Sequence, residues 1–227
     1  MLPPSFFWLI MSPKQAAQIL VEATIVMHQS GVPLMRRVVP DSGDADITLW
    51  EHYPENDAVS PHTQSRYFYH CHPVEERSED EHGHFHLFLP KSAMPHPRRA
   101  TLGPIGRRAR SQKPQVVHIA ALSISPAGLP LSLFTVNRWV TNEWLYPHGE
   151  IMSALAGFDL ADAPGDPLVN RWLTAMVHLC APLIDSLLAE RDAALAAAGW
   201  DGENCALEIL STTTVDLQGL VDTHIDE

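Results

Sequence analysis

A chain of 227 residues with 45% hydrophobic and 19% charged side chains has the composition of a globular protein. Its formal net charge of -12 argues against a nucleic-acid binder, whose whole domain is normally basic. Cys71, Cys180 and Cys205 lie far apart and form no CxxC pair. Neither a disulfide framework nor a thiolate zinc site is indicated, and a reduced, cytoplasmic setting is expected.

The N-terminal "MLPPSFFWLIM" is apolar over about six residues and lacks a positive flank, so it is too short for a bilayer span or a signal peptide. Residues 1–11 are read as a loose arm ahead of a single α+β domain, 12–227. Ser12 suits an N-cap and Pro13 the first helical position. An apolar stripe through Ile19, Leu20, Ala23, Ile25 and Met27 then predicts a helix over 13–29.

From Asp46 the period changes to two. In "ITLWEHY", Ile47, Leu49, Glu51 and Tyr53 take one side and Thr48, Trp50 and His52 the other. "SRYFYHCH" and "HGHFHLFL" alternate as well, "VVHIAALSIS" is a nearly continuous apolar strand, and "LSLFTVNRW" returns after the turn "PAGLP". The expectation is a mostly antiparallel sheet of about five strands. After Pro147, Leu168, Trp172, Met176, Leu179, Leu183 and Leu187 recur at helical steps, so 167–198 should be helical, with Pro182 kinking or dividing it. "ALEILSTTTVDLQGLV" reads equally as a short strand or a helix. The N-terminal helix and C-terminal helical segment should pack on one face of the sheet.

Lys91 to Pro114 stands apart, holding seven of the chain's 15 basic residues: Lys91, Arg98, Arg99, Arg107, Arg108, Arg110 and Lys113. Rich in proline, it reads as a flexible insertion, either a solvated surface loop or a basic loop that meets an anionic partner.

The chemistry gathers in "YHCHPVEERSEDEHGHFHLFLP". On a strand, residues two apart share a face, so His70 pairs with His72, and His82 with His84 and His86. A hairpin through "PVEERSEDE" sets His72 opposite His82 and His70 opposite His84, or, shifted by two, His72 opposite His84 and His70 opposite His86. Either register puts at least four imidazoles on one face, with opposed Cβ atoms about 4.5–5.5 Å apart, close enough to converge on one ion. Crowded imidazoles resist protonation, and the neutral ring is the form that binds metals. His70, His72, His82, His84 and His86 are therefore the candidate ligands of a transition metal ion, with Fe, Zn and Cu all compatible.

Around this face, His118 either extends it or is a hydrogen-bonded core residue. Glu51 and His52 point to opposite sides, so at most one joins. Glu81 borders the triad as a partner that could orient an imidazole. In "NRWVTNEW", Arg138 is a candidate clamp for an anionic group and Glu143 a candidate general acid or base; the alternative is an Arg–Glu pair packed by tryptophans. No Gly-rich phosphate loop, GxSxG elbow or HExxH helix appears.

"HGHFHLFLP" resembles the signature of the histidine-triad nucleotide hydrolases over about seven residues, which would imply that His84 is a nucleophile toward phosphate; Gly83 departs from that signature. "EHGHFHLF" and "LFTVNRWVTNEW" resemble segments of an uncharacterised bacterial protein family, a resemblance running over most of the chain from Met11 onward and implying no roles. The reading is a metal-dependent enzyme, a non-haem oxygenase or a hydrolase, acting on a small anionic molecule. The alternatives are a histidine-triad-like nucleotide hydrolase and a non-catalytic copper or zinc binder.

Overall fold

The computed structural model describes residues 11–39, 48–106 and 114–225. The first ten residues of the arm, the start of "ITLWEHY", and Arg107, Arg108, Arg110 and Lys113 of the basic stretch lie outside them.

Helix α1 (Pro13–Gln29) opens as its sequence dictates. Ser12 Oγ accepts the Gln15 N–H, and Gln15 Oε1 accepts the Ser12 N–H, so two orphan amides are satisfied reciprocally. A short α2 (Leu34–Val38) follows. The sheet has six strands in the order β1 (Tyr53–Val59), β2 (Arg66–His70), β3 (Gly83–Pro90), β4 (Val116–Ile124), β5 (Pro130–Val136) and β6 (Ile209–Thr214), all antiparallel. Between β5 and β6 the chain forms α3 (Arg138–Thr141), α4 (His148–Leu155), α5 (Pro167–Leu179) and α6 (Ala181–Ala197), and α7 (Leu217–Ile225) comes last.

The α+β expectation holds, with two refinements of detail, and of the two outcomes expected at Pro182 the structure takes division. The ambiguous C-terminal stretch supplies both a strand, β6, and a helix, α7, making the sheet six-stranded. The first strand starts at Tyr53, so "TLWEH" precedes it; Trp50 adopts φ +68°, which breaks an extended run. Pro54 inside β1 is tolerated because β1 is an edge strand. Pro182 divides the helical run: α5 and α6 meet at Cys180 with a bend of 69°. Among the described residues, no single helix is long and apolar enough to cross a membrane.

Helices cover one face of the sheet. Tyr67, Tyr69, Phe85, Leu87, Ile119, Leu122 and Leu133 point into a core shared with Leu20 of α1, Trp172 and Met176 of α5, and Ile184, Leu187 and Leu188 of α6. Ser211 ties β6 into this layer, its Oγ donating to the Leu187 carbonyl of α6. The opposite face carries Phe68, His70, His84, His86, Phe88, Ala121, Ser123 and Phe134, as the strand pairing requires. The described part of the basic stretch is fastened down: Met94 is buried, Leu102 bridges Leu145, and Arg99 pairs with Glu150 at 2.9 Å.

Candidate metal centre

The hairpin of β2 and β3 adopts the first of the two registers, with His70 directly opposite His84 and Phe68 opposite His86. His72 lies just past the end of β2, yet its ring returns to the cluster. Nε2 of His70 is 2.7 Å from Nε2 of His84, and Nε2 of His72 is 3.3 Å from Nε2 of His70. One donor nitrogen from each of His70, His72 and His84 falls within 4.8 Å of the others, a group able to hold a metal ion. Two nitrogens about 2.0–2.1 Å from one tetrahedral ion stand roughly 3.3 Å apart. The His72–His70 spacing meets this, and the His70–His84 pair needs to open by about half an ångström.

The surroundings orient these rings. Glu81 Oε1 is 2.7 Å from His84 Nδ1, and Glu81 Oε2 accepts the Ser123 hydroxyl at 2.9 Å. A carboxylate on Nδ1 keeps the proton there and leaves His84 Nε2 bare, the arrangement found where histidine ligates metal. His72 Nδ1 has Glu76 at 3.7 Å. Burial, then the positive charge that His84, His72 and His52 would add, holds His70 down to about 2. Burial likewise lowers His72. For Glu81, burial raises the carboxyl, but its bonds to His84 and Ser123 outweigh this and lower it. At neutral pH His70 and His72 are thus uncharged imidazoles near an ionised Glu81 carboxylate.

The other predicted members are placed differently. His86, fully enclosed, sits beside His118, with Nδ1 3.0 Å from His118 Nε2 and phenylalanines 68, 88 and 134 around it. Burial lowers both rings, His118 to about 3. His82 precedes β3, so strand alternation no longer governs it; Nδ1 lies 2.5 Å from the Tyr69 hydroxyl and 3.8 Å from Cys71 Sγ, residues of the helix-covered core. Gly83 makes this exit possible, since a Cβ there would fall on the His70 carbonyl and the Tyr69 ring.

His118 reaches the histidine face through a feature no alternation rule reveals. Leu87 pairs with Ala120 and Phe88 with His118, so Ile119 is an extra residue in β4. This bulge shifts the parity of the strand's first half, turning His118 and Val116 toward Phe88. Glu143 supports it: its Oε2 accepts the His118 backbone N–H, while its Oε1 has no hydrogen-bond donor. Burial pushes the Glu143 carboxyl up to about 7, against the lowering influence of Arg191. Arg138 donates to the Gly103 carbonyl and pairs with Glu203 at 3.0 Å. Neither Arg138 nor Glu143 belongs to the three-histidine group.

Trp50 and His52 were grouped by their alternation, and both meet the site although no strand carries them. His52 stacks on Phe68 at 3.7 Å, with Asp57 2.9 Å from its Nδ1, and Trp50 lies 4.1 Å from the His72 ring. Ser123 and Phe134, whose ring meets His84 edge-on at 5.0 Å, were not singled out by sequence. A cleft of about 470 Å³ lined by Met11, Ile19, Phe158, Arg171 and His178 lies on the helical side, away from this chemistry.

No curated protein and no solved structure matches the chain. One family model does, over residues 14–215, and the chain accordingly belongs to the family described as a domain of unknown function, DUF6969.

Proposed function

We propose that the protein is a metal-dependent enzyme whose ion is held by His70, His72 and His84. The observation that supports this best is the convergence of three imidazole nitrogens, one of them on a ring fixed from behind by Glu81. With both Glu81 oxygens engaged by His84 and Ser123, the donor set is three histidines rather than two histidines and a carboxylate. That set suits zinc with an open fourth position, the arrangement of catalytic rather than structural zinc, and favours a hydrolase over a non-haem oxygenase. When bound, the ion supplies Lewis acidity at its open position.

The chain's own residues do the rest. In the metal-free state the short His70–His84 contact needs one proton between the two Nε2 atoms. Glu81 holds the His84 proton on Nδ1, so the shared one belongs to His70 and must move to its Nδ1 when the ion arrives. Phe68 and Phe134 flank the rings and exclude water. A nucleophilic His84, by contrast, needs an open approach to its free nitrogen, and that nitrogen faces His70.

Elemental analysis of protein purified without a histidine tag should find one zinc per chain, or one taken up from stoichiometric zinc after chelation. His84→Ala and His70→Ala should abolish uptake. Apo protein that rebinds no zinc, copper or iron would overturn the reading.

A further inference from the structure

His70 and His84 are buried, while His72 keeps 13% of its side chain exposed, so a ligand reaches the cluster past His72. Trp50 stands there. Its backbone N–H donates to the carbonyl of Cys71, the residue between His70 and His72, and its ring lies 4.1 Å from the His72 ring and 6.3 Å from that of His70. The residue takes a left-handed backbone, φ +68°, uncommon for a bulky side chain, yet leaves 52% of its surface in water. Leu49 beside it and Val74, two residues past His72, are exposed as well. An indole held under backbone strain and left uncovered suits recognition better than packing.

Acidic side chains crowd this mouth. Glu76, Glu81 and Glu208 all act on His72. Arg77, beside Glu76, donates to the His82 carbonyl, and Arg138 donates to Gly103 and Glu203. A divalent ion and the Arg77 guanidinium against three carboxylates leave the mouth about neutral, so the ion's own charge does not turn it into an anion trap.

Resting on the metal-centre reading, we propose that the site receives a small organic cation with a flat apolar body, which stacks on Trp50 while its charge faces Glu76 and Glu208. This departs from the anionic substrate expected from Arg138 in the sequence. An exposed indole over which a cation can sit, with carboxylates at the rim, is suited to such a ligand.

The test uses three probes sharing one ring: 2-phenylethylamine, 2-phenylethanol and phenylacetate. Each is titrated calorimetrically into zinc-loaded and chelator-treated protein. The amine should bind at least tenfold more tightly than phenylacetate and more tightly than the alcohol, and Trp50→Ala should cost the amine about tenfold without changing zinc stoichiometry. Phenylacetate binding as well as the amine, an alcohol its equal, or no binding by any probe would overturn the proposal. The chelated series separates the two readings: loss of the metal centre shows as missing zinc, whereas failure of the cation site shows as the wrong ranking with or without zinc.

Discussion

Metal-free protein should lose stability steeply in mild acid, and His86→Phe should make that loss shallower. His70, His86 and His118 are buried as neutral rings, with pKa values held at about 2, well below the usual range, and about 3. In the unfolded chain each returns to about 6.5. Above pH 6.5 neither state takes up protons at these sites and their stability is fully present. As pH falls below 6.5 the unfolded chain gains a proton at each ring and the native state does not, so stability is lost at about 1.4 kcal/mol per pH unit per ring. Three rings give about 4 kcal/mol per unit, and by pH 4.5 about 8 kcal/mol, comparable to the roughly 5–15 kcal/mol that holds a typical domain together. Phenylalanine keeps an uncharged ring among its aromatic neighbours, Phe68 at 4.9 Å and Phe134 at 6.4 Å from the His86 ring. Its replacement should remove about a third of the slope, whatever constant cost follows from depriving His118 of a partner. Urea unfolding with chelator present, from pH 7.5 to 4.5, measures both slopes. Parallel profiles for the two proteins would refute this account.

Three further outcomes are expected. Glu143 runs the opposite way: with its carboxyl raised from 4.5 to about 7, its contribution is complete below pH 4.5 and is lost as pH rises through 7. Glu143→Gln, which keeps an acceptor for the His118 N–H, should therefore gain up to about 3 kcal/mol relative to wild type between pH 5 and 8; an unchanged difference across that range would count against a neutral buried carboxyl. Glu81→Gln should weaken zinc affinity roughly 10–100-fold in competition with a chromophoric chelator, because His84 loses the charge that fixes its tautomer; equal affinity would mean Glu81 does not orient the ligand. Gly83→Ala should cost about 2–3 kcal/mol, since the methyl meets the His70 backbone rather than a yielding side chain. A thermal midpoint unchanged by that substitution would show slack at the start of β3.

The hairpin and its histidine face were legible because two alternating groups and a short acidic loop admit few pairings. Nothing in the residues chose between the two registers. His82 escaped because alternation stops where a strand stops, and Gly83 marks that boundary only in hindsight of the Tyr69 ring beside it. His118 remained undecided because a bulge changes parity without leaving a residue signature, as Ile119 is as good a strand residue as its neighbours. Trp50 reads as part of a strand because its sequence alternates; the left-handed turn that places it against His72 is a backbone choice that periodicity does not encode. The division at Pro182 was legible because proline acts on its own helix.

Strand β3 is buried at each of its eight positions, although antiparallel sheets commonly leave one face wet. Phe85, Leu87 and Leu89 fill the interior beneath the helices, and His84, His86 and Phe88 a second interior of aromatic rings. This segment has no silent positions. Drift by conservative exchange, the ordinary route by which surfaces diverge, is closed to it from both sides. A saturation library should show eight consecutive intolerant codons from 83 to 90, with 83 holding to glycine, 85, 87 and 89 accepting only apolar exchange, and 84, 86 and 88 answering to the chemistry of the histidine face.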